Sequence, residues 1–72
     1  MTGTIENRFG VIAIKRGFIT PEQLCEALTT QVMEELKGTK RHLIGEILLE
    51  KGHITTDQIY EVVQFLKMLE VS

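Results

Sequence analysis

The sequence predicts an all-α fold, a compact four-helix domain built from two helix-turn-helix repeats. Three observations predict it: a repeated segment, helix-capping motifs in both copies, and apolar residues at helical spacing. The segment from residue 8 to residue 24 returns thirty-five positions later, from residue 43 to residue 59. Identical pairs at this offset include Gly10/Gly45, Ile12/Ile47, Gly17/Gly52, Ile19/Ile54, Thr20/Thr55, Gln23/Gln58 and Glu26/Glu61. One supersecondary unit is therefore used twice, and neither copy can bury its apolar face alone.

Both copies carry the same signals for the start of a helix. Thr20-Pro-Glu-Gln23 and Thr55-Thr-Asp-Gln58 are capping boxes. In this motif the Thr hydroxyl accepts from the third helical amide and the Gln side chain returns a bond to the cap. Pro21 suits a first helical position, so helices are predicted to begin at residues 21 and 56. Gly17 and Gly52 stand three residues before the caps and indicate where the preceding helices end.

Apolar spacing predicts which helix faces are buried. The second helix of copy one carries a stripe at i, i+3, i+4 and i+7 spacing: Leu24, Ala27, Leu28, Gln31, Val32 and Leu36. The second helix of copy two carries the corresponding stripe: Ile59, Val62, Val63, Leu66 and Leu69. The two stripes are predicted to face each other. The short first helices are apolar over most of their circumference, which predicts that they lie in the middle of the domain.

Length and composition predict a single domain over residues 1–72, with repeat one at about 8–36, a connector at about 37–42 and repeat two at about 43–69. Cys25 is the only cysteine, which excludes an intramolecular disulfide. It indicates a half-buried thiol in a reducing compartment, and thus a cytoplasmic protein.

The apolar runs are too short to insert in a membrane, and no signal pattern begins the chain. The net charge of −2 predicts no general attraction to nucleic acid.

The residues of copy one resemble a known motif. They are Arg8-Phe9-Gly10, Ala13-Ile14, Gly17, Ile19, Gln23-Leu24, Ala27-Leu28 and Gln31. Together they resemble R-L-G-x-x-L-V-x-x-G-x-I-x-x-x-Q-L-x-x-A-L-x-x-Q, which occurs in tandem in the N-terminal domains of type II secretion and type IV pilus assembly ATPases, the MshEN type. The match covers residues 8–31 and 43–66. The resemblance implies a helical module, separate from the ATPase, that docks proteins of the secretion platform. A subset of the family binds cyclic di-GMP with both motifs.

The resemblance also names candidate ligand-binding residues, which are Arg8, Phe9, Gly10, Gly17, Gln31, Arg41 and Gly45. Copy two departs from the motif because Leu43 and Leu66 occupy the positions of Arg8 and Gln31. Leucine can neither make paired hydrogen bonds to a base or phosphate nor stack as a guanidinium does. Arg41 lies two residues before Leu43 and could substitute only from a non-helical lead-in, because two residues turn a helix by about 200°. Cyclic di-GMP binding is therefore the alternative to protein docking.

Several of these residues also have structural interpretations. Gln31 lies on the apolar stripe and could be a core-edge amide that a backbone carbonyl satisfies. Arg8 could be a surface residue in an ion pair of small energetic consequence. Gly10 and Gly45 are predicted to allow close helix packing rather than backbone approach to a ligand. His53 occupies a turn position and is predicted to face solvent or to cap a helix.

The sequence offers no support for catalysis or for a metal cofactor. Ser72 is the sole serine and is terminal, Cys25 has no neighbouring base, and no phosphate loop or zinc-ligand spacing is present. A DNA-binding helix-turn-helix ranks third. Its reading helices, residues 21–36 and 56–69, would contain Lys67 as their only basic residue, so contacts to phosphate would be scarce.

The sequence therefore predicts a non-catalytic adaptor or regulatory module. It is expected to dock a partner protein through an apolar groove between the copies, rimmed by Arg8, Lys15, Arg16 and Arg41. The partner implied by the resemblance is a component of the secretion or pilus machinery, or an ATPase acting in trans. A homodimer is also expected, because so small a core gains stability from self-association.

Overall fold

The computed structural model describes the backbone of residues 5–40 and 42–71, and the side chains of residues 8–40 and 42–69. Regular structure in these ranges consists of four α-helices: α1 (Ile5–Lys15), α2 (Pro21–Lys37), α3 (Ile44–Glu50) and α4 (Thr56–Val71). The predicted all-α fold class is confirmed. The helices α2 and α4 begin at the two residues that the capping boxes predict.

Both capping boxes form as predicted. The Thr20 amide donates to Oε1 of Gln23 at 3.0 Å, and the Gln23 amide donates to Oγ1 of Thr20 at 3.1 Å. Thr55 and Gln58 exchange the same two bonds at 3.0 and 3.1 Å. These bonds satisfy amides at the start of each helix that have no partner within the helix. The start of α3 has only half of this motif, because Leu43 has no side-chain oxygen to accept a bond.

The helices α1 and α3 end in the same kind of turn. After α1, the Gly17 amide donates to the Ile14 carbonyl and the Phe18 amide to the Ala13 carbonyl, both at 2.9 Å. The same two bonds recur after α3, thirty-five residues later. This pair of bonds is a Schellman motif, which needs a left-handed residue at its turn. Gly17 and Gly52 supply it with φ angles of 79° and 80°.

A change of Gly52 to alanine is expected to destabilise the domain by about 1–2 kcal/mol, because a Cβ is strained in the left-handed region. The space around Gly52 is open, so the cost is one of backbone conformation and not of collision. Urea unfolding followed by circular dichroism measures the loss. The Gly52→Asn variant is the control and should lose less, since asparagine tolerates this region better. Equal stability of Gly52→Ala and the parent chain would contradict the requirement for glycine.

The core uses equivalent positions of the two copies. Every buried side chain in the described residues has a buried counterpart thirty-five positions away: Phe9/Ile44, Ile12/Ile47, Ala13/Leu48, Ile19/Ile54, Ala27/Val62 and Gln31/Leu66. Gln31 is the one polar member of this set. The pairing explains why both copies carry apolar residues at all of these positions except 31, since each half buries the same faces.

The short helices α1 and α3 lie in the middle and contact each other, as predicted. The longer helices lie outside them, with α2 packed mainly on α3 and α4 packed mainly on α1. Each long helix therefore packs on the short helix of the other copy. The prediction that the stripes of α2 and α4 face each other is wrong. The reason is that α1 and α3 are apolar on more than one face and so occupy the interior between the two long helices.

The predicted inner face of α2 is also partly wrong. Ala27 and Gln31 are buried, whereas Leu28, Val32 and Leu36 are exposed. Cys25, predicted to be half-buried, is exposed as well. Successive residues turn by about 100° around a helix, so the direction that buries positions 27 and 31 turns positions 25, 32 and 36 outward.

Candidate functional site

Two of the predicted ligand-contact glycines lie beneath side chains of neighbouring helices. A Cβ added to Gly10 would lie 2.7 Å from Cδ1 of Leu24, and one added to Gly45 would lie 3.4 Å from Cζ of Phe9. The glycines thus let α2 approach α1, and α1 approach α3. The prediction that Gly10 serves close packing is confirmed. Phe9, another candidate ligand contact, is buried in the core.

Gln31 binds the connector that precedes α3. It is 5% exposed, and its Nε2 donates to the carbonyl oxygen of His42 at 2.7 Å. Glu34 accepts two further bonds from the same histidine, one from its backbone amide to Oε1 at 2.9 Å and one from Nδ1 to Oε2 at 2.8 Å. We call this set of three bonds the His42 clamp. It confirms the structural interpretation of Gln31, an amide that a backbone carbonyl satisfies.

A second polar network joins the two copies. Nε2 of Gln23 lies 3.3 Å from Nδ1 of His53, whose Nε2 lies 3.1 Å from Oε1 of Glu26. The Gln23 amide nitrogen can only donate, so Nδ1 accepts and Nε2 carries the proton. Lys51 extends the network with its Nζ 3.6 Å from Oε2 of Glu26. His53 therefore lies half-buried between the start of α2 and the turn after α3. Its ring contacts the side chains of Gln23 and Glu26, whereas the sequence predicted a histidine that faces solvent or caps a helix.

Both carboxylates of these networks have lowered pKa values. The hydrogen bond from His53 lowers the pKa of Glu26 below its usual 4.5, and the charge of Lys51 adds to the effect. The backbone amide of His42 lowers the pKa of Glu34, and its ring adds to that effect. Hydrogen bonds to a carboxylate stabilise its charged form, which accounts for the direction of both changes.

The lowered pKa values predict a domain that loses stability in acid. A carboxyl group with a lower pKa in the folded state binds fewer protons than it does in the unfolded chain. Its contribution to stability is therefore fully present above pH 4.5 and is lost as the pH falls through the lowered pKa. Urea unfolding over an acid pH series measures the slope. The Glu26→Gln/Glu34→Gln double variant should show a shallower slope, and an unchanged slope would contradict these roles.

Three of the candidate basic residues are exposed on α1 or in the turn that follows it. Arg8, Val11 and Lys15 follow one face of the helix, and all three are exposed. Arg16 is also exposed, and its guanidinium carbon lies 5.3 Å from the centre of the Phe65 ring on α4. This distance allows a cation–π contact. We call Arg8 and Lys15 of α1, together with Arg16 in the turn after it, the α1 basic face. Arg41, the fourth predicted rim residue, lies outside the described residues.

The corresponding surface of α3 carries the opposite charge. Positions equivalent to Arg8, Val11 and Lys15 hold Leu43, Glu46 and Glu50, which are exposed too. The motif begins and ends with a polar residue. In copy one, the first of these is the exposed Arg8 and the last is Gln31, which is hydrogen-bonded within the protein. Phe9 and Gly10, which follow Arg8 in the chain, are both buried. The seven candidate residues therefore do not all line one exposed site.

An apolar stripe lies exposed on the outer face of α2. Leu28, Val32 and Leu36 are spaced by four residues, and Val32 and Leu36 are 55% and 77% exposed. Cys25 continues the stripe toward the N-terminus of the helix, and Met33 lies beside it. We call these five residues the α2 outer stripe. It faces away from the buried side of the helix, which carries Ala27 and Gln31.

The sequence contained a signal for this stripe. At the thirty-five-residue offset, the buried residues Val62 and Leu66 of α4 correspond to Ala27 and Gln31 of α2. The same offset gives Lys67, an exposed and charged residue, at the position of Val32. Aligning the two long helices on the repeat would therefore have identified positions 27 and 31 as inward and position 32 as outward.

The described residues contain no cluster of three or more His, Cys, Asp or Glu side chains that could hold a metal ion. None of the four helices, over the part of the chain that the structure describes, is long and apolar enough to cross a membrane. Comparison of the chain with protein-family models, with curated proteins and with solved structures finds no match.

Proposed function

We propose that this chain is a non-catalytic adaptor or regulatory module that docks a partner protein, with the α2 outer stripe as its docking surface. The observation that supports the proposal is the exposure of Val32 and Leu36 on a helix whose opposite face is built into the core. Burying apolar surface is worth about 25 cal/mol per Å². A stripe at i, i+4 and i+8 fits an amphipathic helix of the partner, which can pack along α2.

The stripe replaces the predicted groove between the copies as the docking surface. Ile44, Ile47 and Leu48, which lie where the copies meet, are buried in one shared core. They therefore offer no surface to a partner, whereas α2 exposes its apolar side chains already aligned. The α1 basic face remains a second exposed surface.

The resemblance of the sequence supplies the class of partner. A module of the MshEN type would act in the cytoplasm on an assembly ATPase, or on another component of a type II secretion or type IV pilus machine. The module has no catalytic role in this proposal. It positions or regulates the machine by contact.

Isothermal titration of the chain with a purified pilus or type II secretion assembly ATPase tests the proposal. The Val32→Ser/Leu36→Ser variant should bind at least about tenfold more weakly, a difference of roughly 1.4 kcal/mol. Tyr60→Ser is the matched control, because Tyr60 is an exposed side chain on the other long helix. Equal binding by the stripe variant and the parent chain would contradict the assignment of the docking surface.

Cyclic di-GMP binding is the second candidate function, and the exposed α1 basic face favours it. Arg8 and Lys15 are free to approach an anionic ligand from solvent, since both are exposed. An amide-resolved NMR titration with cyclic di-GMP tests this candidate. Saturable shifts over residues 8–17 that disappear in a folded Arg8→Ala variant would support it. The absence of shifts at millimolar ligand would exclude it and leave protein docking.

A further inference from the structure

We infer that, when no other partner is bound, the α2 outer stripe is covered by the same stripe of a second copy of this chain, in an antiparallel helix pair. The inference rests on the proposed function, since it names the occupant of the same surface. Its consequence is regulatory: a partner can dock only by displacing the second copy.

The spacing of the stripe supports a symmetric helix pair. Cys25, Leu28, Val32 and Leu36 are separated by three, four and four residues, which is the spacing of a helix-pair seam. A two-fold axis makes one patch serve both partners, so a single apolar stripe is sufficient for a closed dimer. A domain of this size also buries only about 60% of its unfolded surface, and a second copy adds to that burial.

Charge at the two ends of α2 sets the direction of the pair. Glu22 lies in the first turn and Lys37 in the last turn, and both are exposed. The two residues are fifteen positions apart, and each position turns the helix by about 100°, so their directions around the helix axis differ by only roughly 60°. Both therefore lie along the same edge of the stripe. A two-fold axis between antiparallel helices brings like edges together. Glu22 then faces Lys37 of the second copy, and this contact occurs twice.

A parallel pair is disfavoured on the same grounds. It would bring the two Glu22 side chains to the same end of the interface, with no lysine from either α2 helix nearby. It would also align the two helix dipoles, whereas an antiparallel pair opposes them. Glu26 does not alter this conclusion, because it is already paired with Lys51 and His53 of its own chain.

The antiparallel direction also fixes what Cys25 can reach. Its position is eleven residues from Leu36, or about 16 Å along the helix axis. In the antiparallel pair, each Cys25 therefore lies beside Leu36 of the second copy, and the two Cys25 thiols are too far apart to form a disulfide. A parallel pair would instead bring the two thiols together.

Sedimentation equilibrium of the whole chain tests self-association. We expect a dimer at micromolar concentration, a monomer for Val32→Asp, and a dimer for the control Tyr60→Asp. Glu22→Lys and Lys37→Glu should each weaken the dimer by about threefold to tenfold, as exposed ion pairs do. The double variant should restore it. A parent chain that remains monomeric at millimolar concentration would overturn the inference.

Oxidative cross-linking tests the antiparallel direction of the helix pair independently. This matters because the charge variants at Glu22 and Lys37 also change the charge at the ends of α2. The parent chain should not form a disulfide dimer, and Leu36→Cys should form one that links the introduced thiol to Cys25. A disulfide dimer of the parent chain would overturn the antiparallel arrangement.

The two proposals fail in different ways. A monomeric parent chain that loses ATPase binding in Val32→Ser/Leu36→Ser would overturn self-association and leave the docking function standing. A dimer through α2 that does not bind the ATPase would support self-association and count against that partner.

Discussion

Replacing Leu48 with alanine is expected to lower the free energy of unfolding by about 2–5 kcal/mol. Leu48 is 0% exposed and lies on α3, the short helix that contacts both α1 and α2. The loss combines the removed apolar contacts with the cavity that the change leaves. It would be a large part of the stability of a small domain, which totals about 5–15 kcal/mol. Urea unfolding followed by circular dichroism measures it.

The neighbouring residue provides the control. Leu49 is 40% exposed on the same helix, so Leu49→Ala changes the same residue type with little effect on the core. Its expected cost is within about 1 kcal/mol. Equal losses for the two variants would contradict the orientation of α3, and with it the central position of this helix.

Replacing Gln31 with alanine is expected to cost about 2–4 kcal/mol. The change leaves the His42 carbonyl without the Gln31 donor, which costs about 1–3 kcal/mol, and it empties part of a buried position. Gln31→Leu refills the position as Leu66 does in copy two, so it should lose less. Urea unfolding gives the stability, and amide hydrogen exchange at residues 42 to 44 reports release of the connector.

A different result would assign Gln31 another role. If Gln31→Ala is as stable as the parent chain and exchange at the connector is unchanged, the His42 clamp does not hold α3 in place. Loss of cyclic di-GMP binding without loss of stability would then identify Gln31 as a ligand contact.

Local signals in the sequence were sufficient for the turns and helix starts. A capping box and a Schellman glycine each involve residues within a few positions of one another, so Thr20, Gln23 and Gly17 determine their own geometry. The close packing at Gly10 could be predicted for a related reason. Both copies keep the glycine although copy two has lost the polar ends of the motif.

The buried face of α2 could not be predicted from its own apolar pattern. This helix is apolar in two directions, and the residues that turn inward include a small one, Ala27, and a polar one, Gln31. The larger side chains Val32 and Leu36 are exposed. Periodicity favours the face with more apolar surface, whereas the fold selects the face that fits close to α3 and reaches the connector.

The polar network around His53 was missed because its partners are distant in the sequence. His53 meets Gln23 across thirty positions and Glu26 across twenty-seven. Only the packing of α2 on α3 brings these residues together. No local motif identifies such a contact, and a histidine in a turn then resembles a solvent-facing one.

The most direct test of the docking surface is an amide-resolved NMR spectrum of the labelled chain, recorded as its own concentration rises from micromolar to millimolar and again as an assembly ATPase is added. The proposal predicts shift changes centred on residues 25, 28, 32 and 36 of α2, with residues 8–16, which include the α1 basic face, little affected. Changes confined to α1, or no change under either condition, would contradict the assignment of the α2 outer stripe as the surface through which this protein acts.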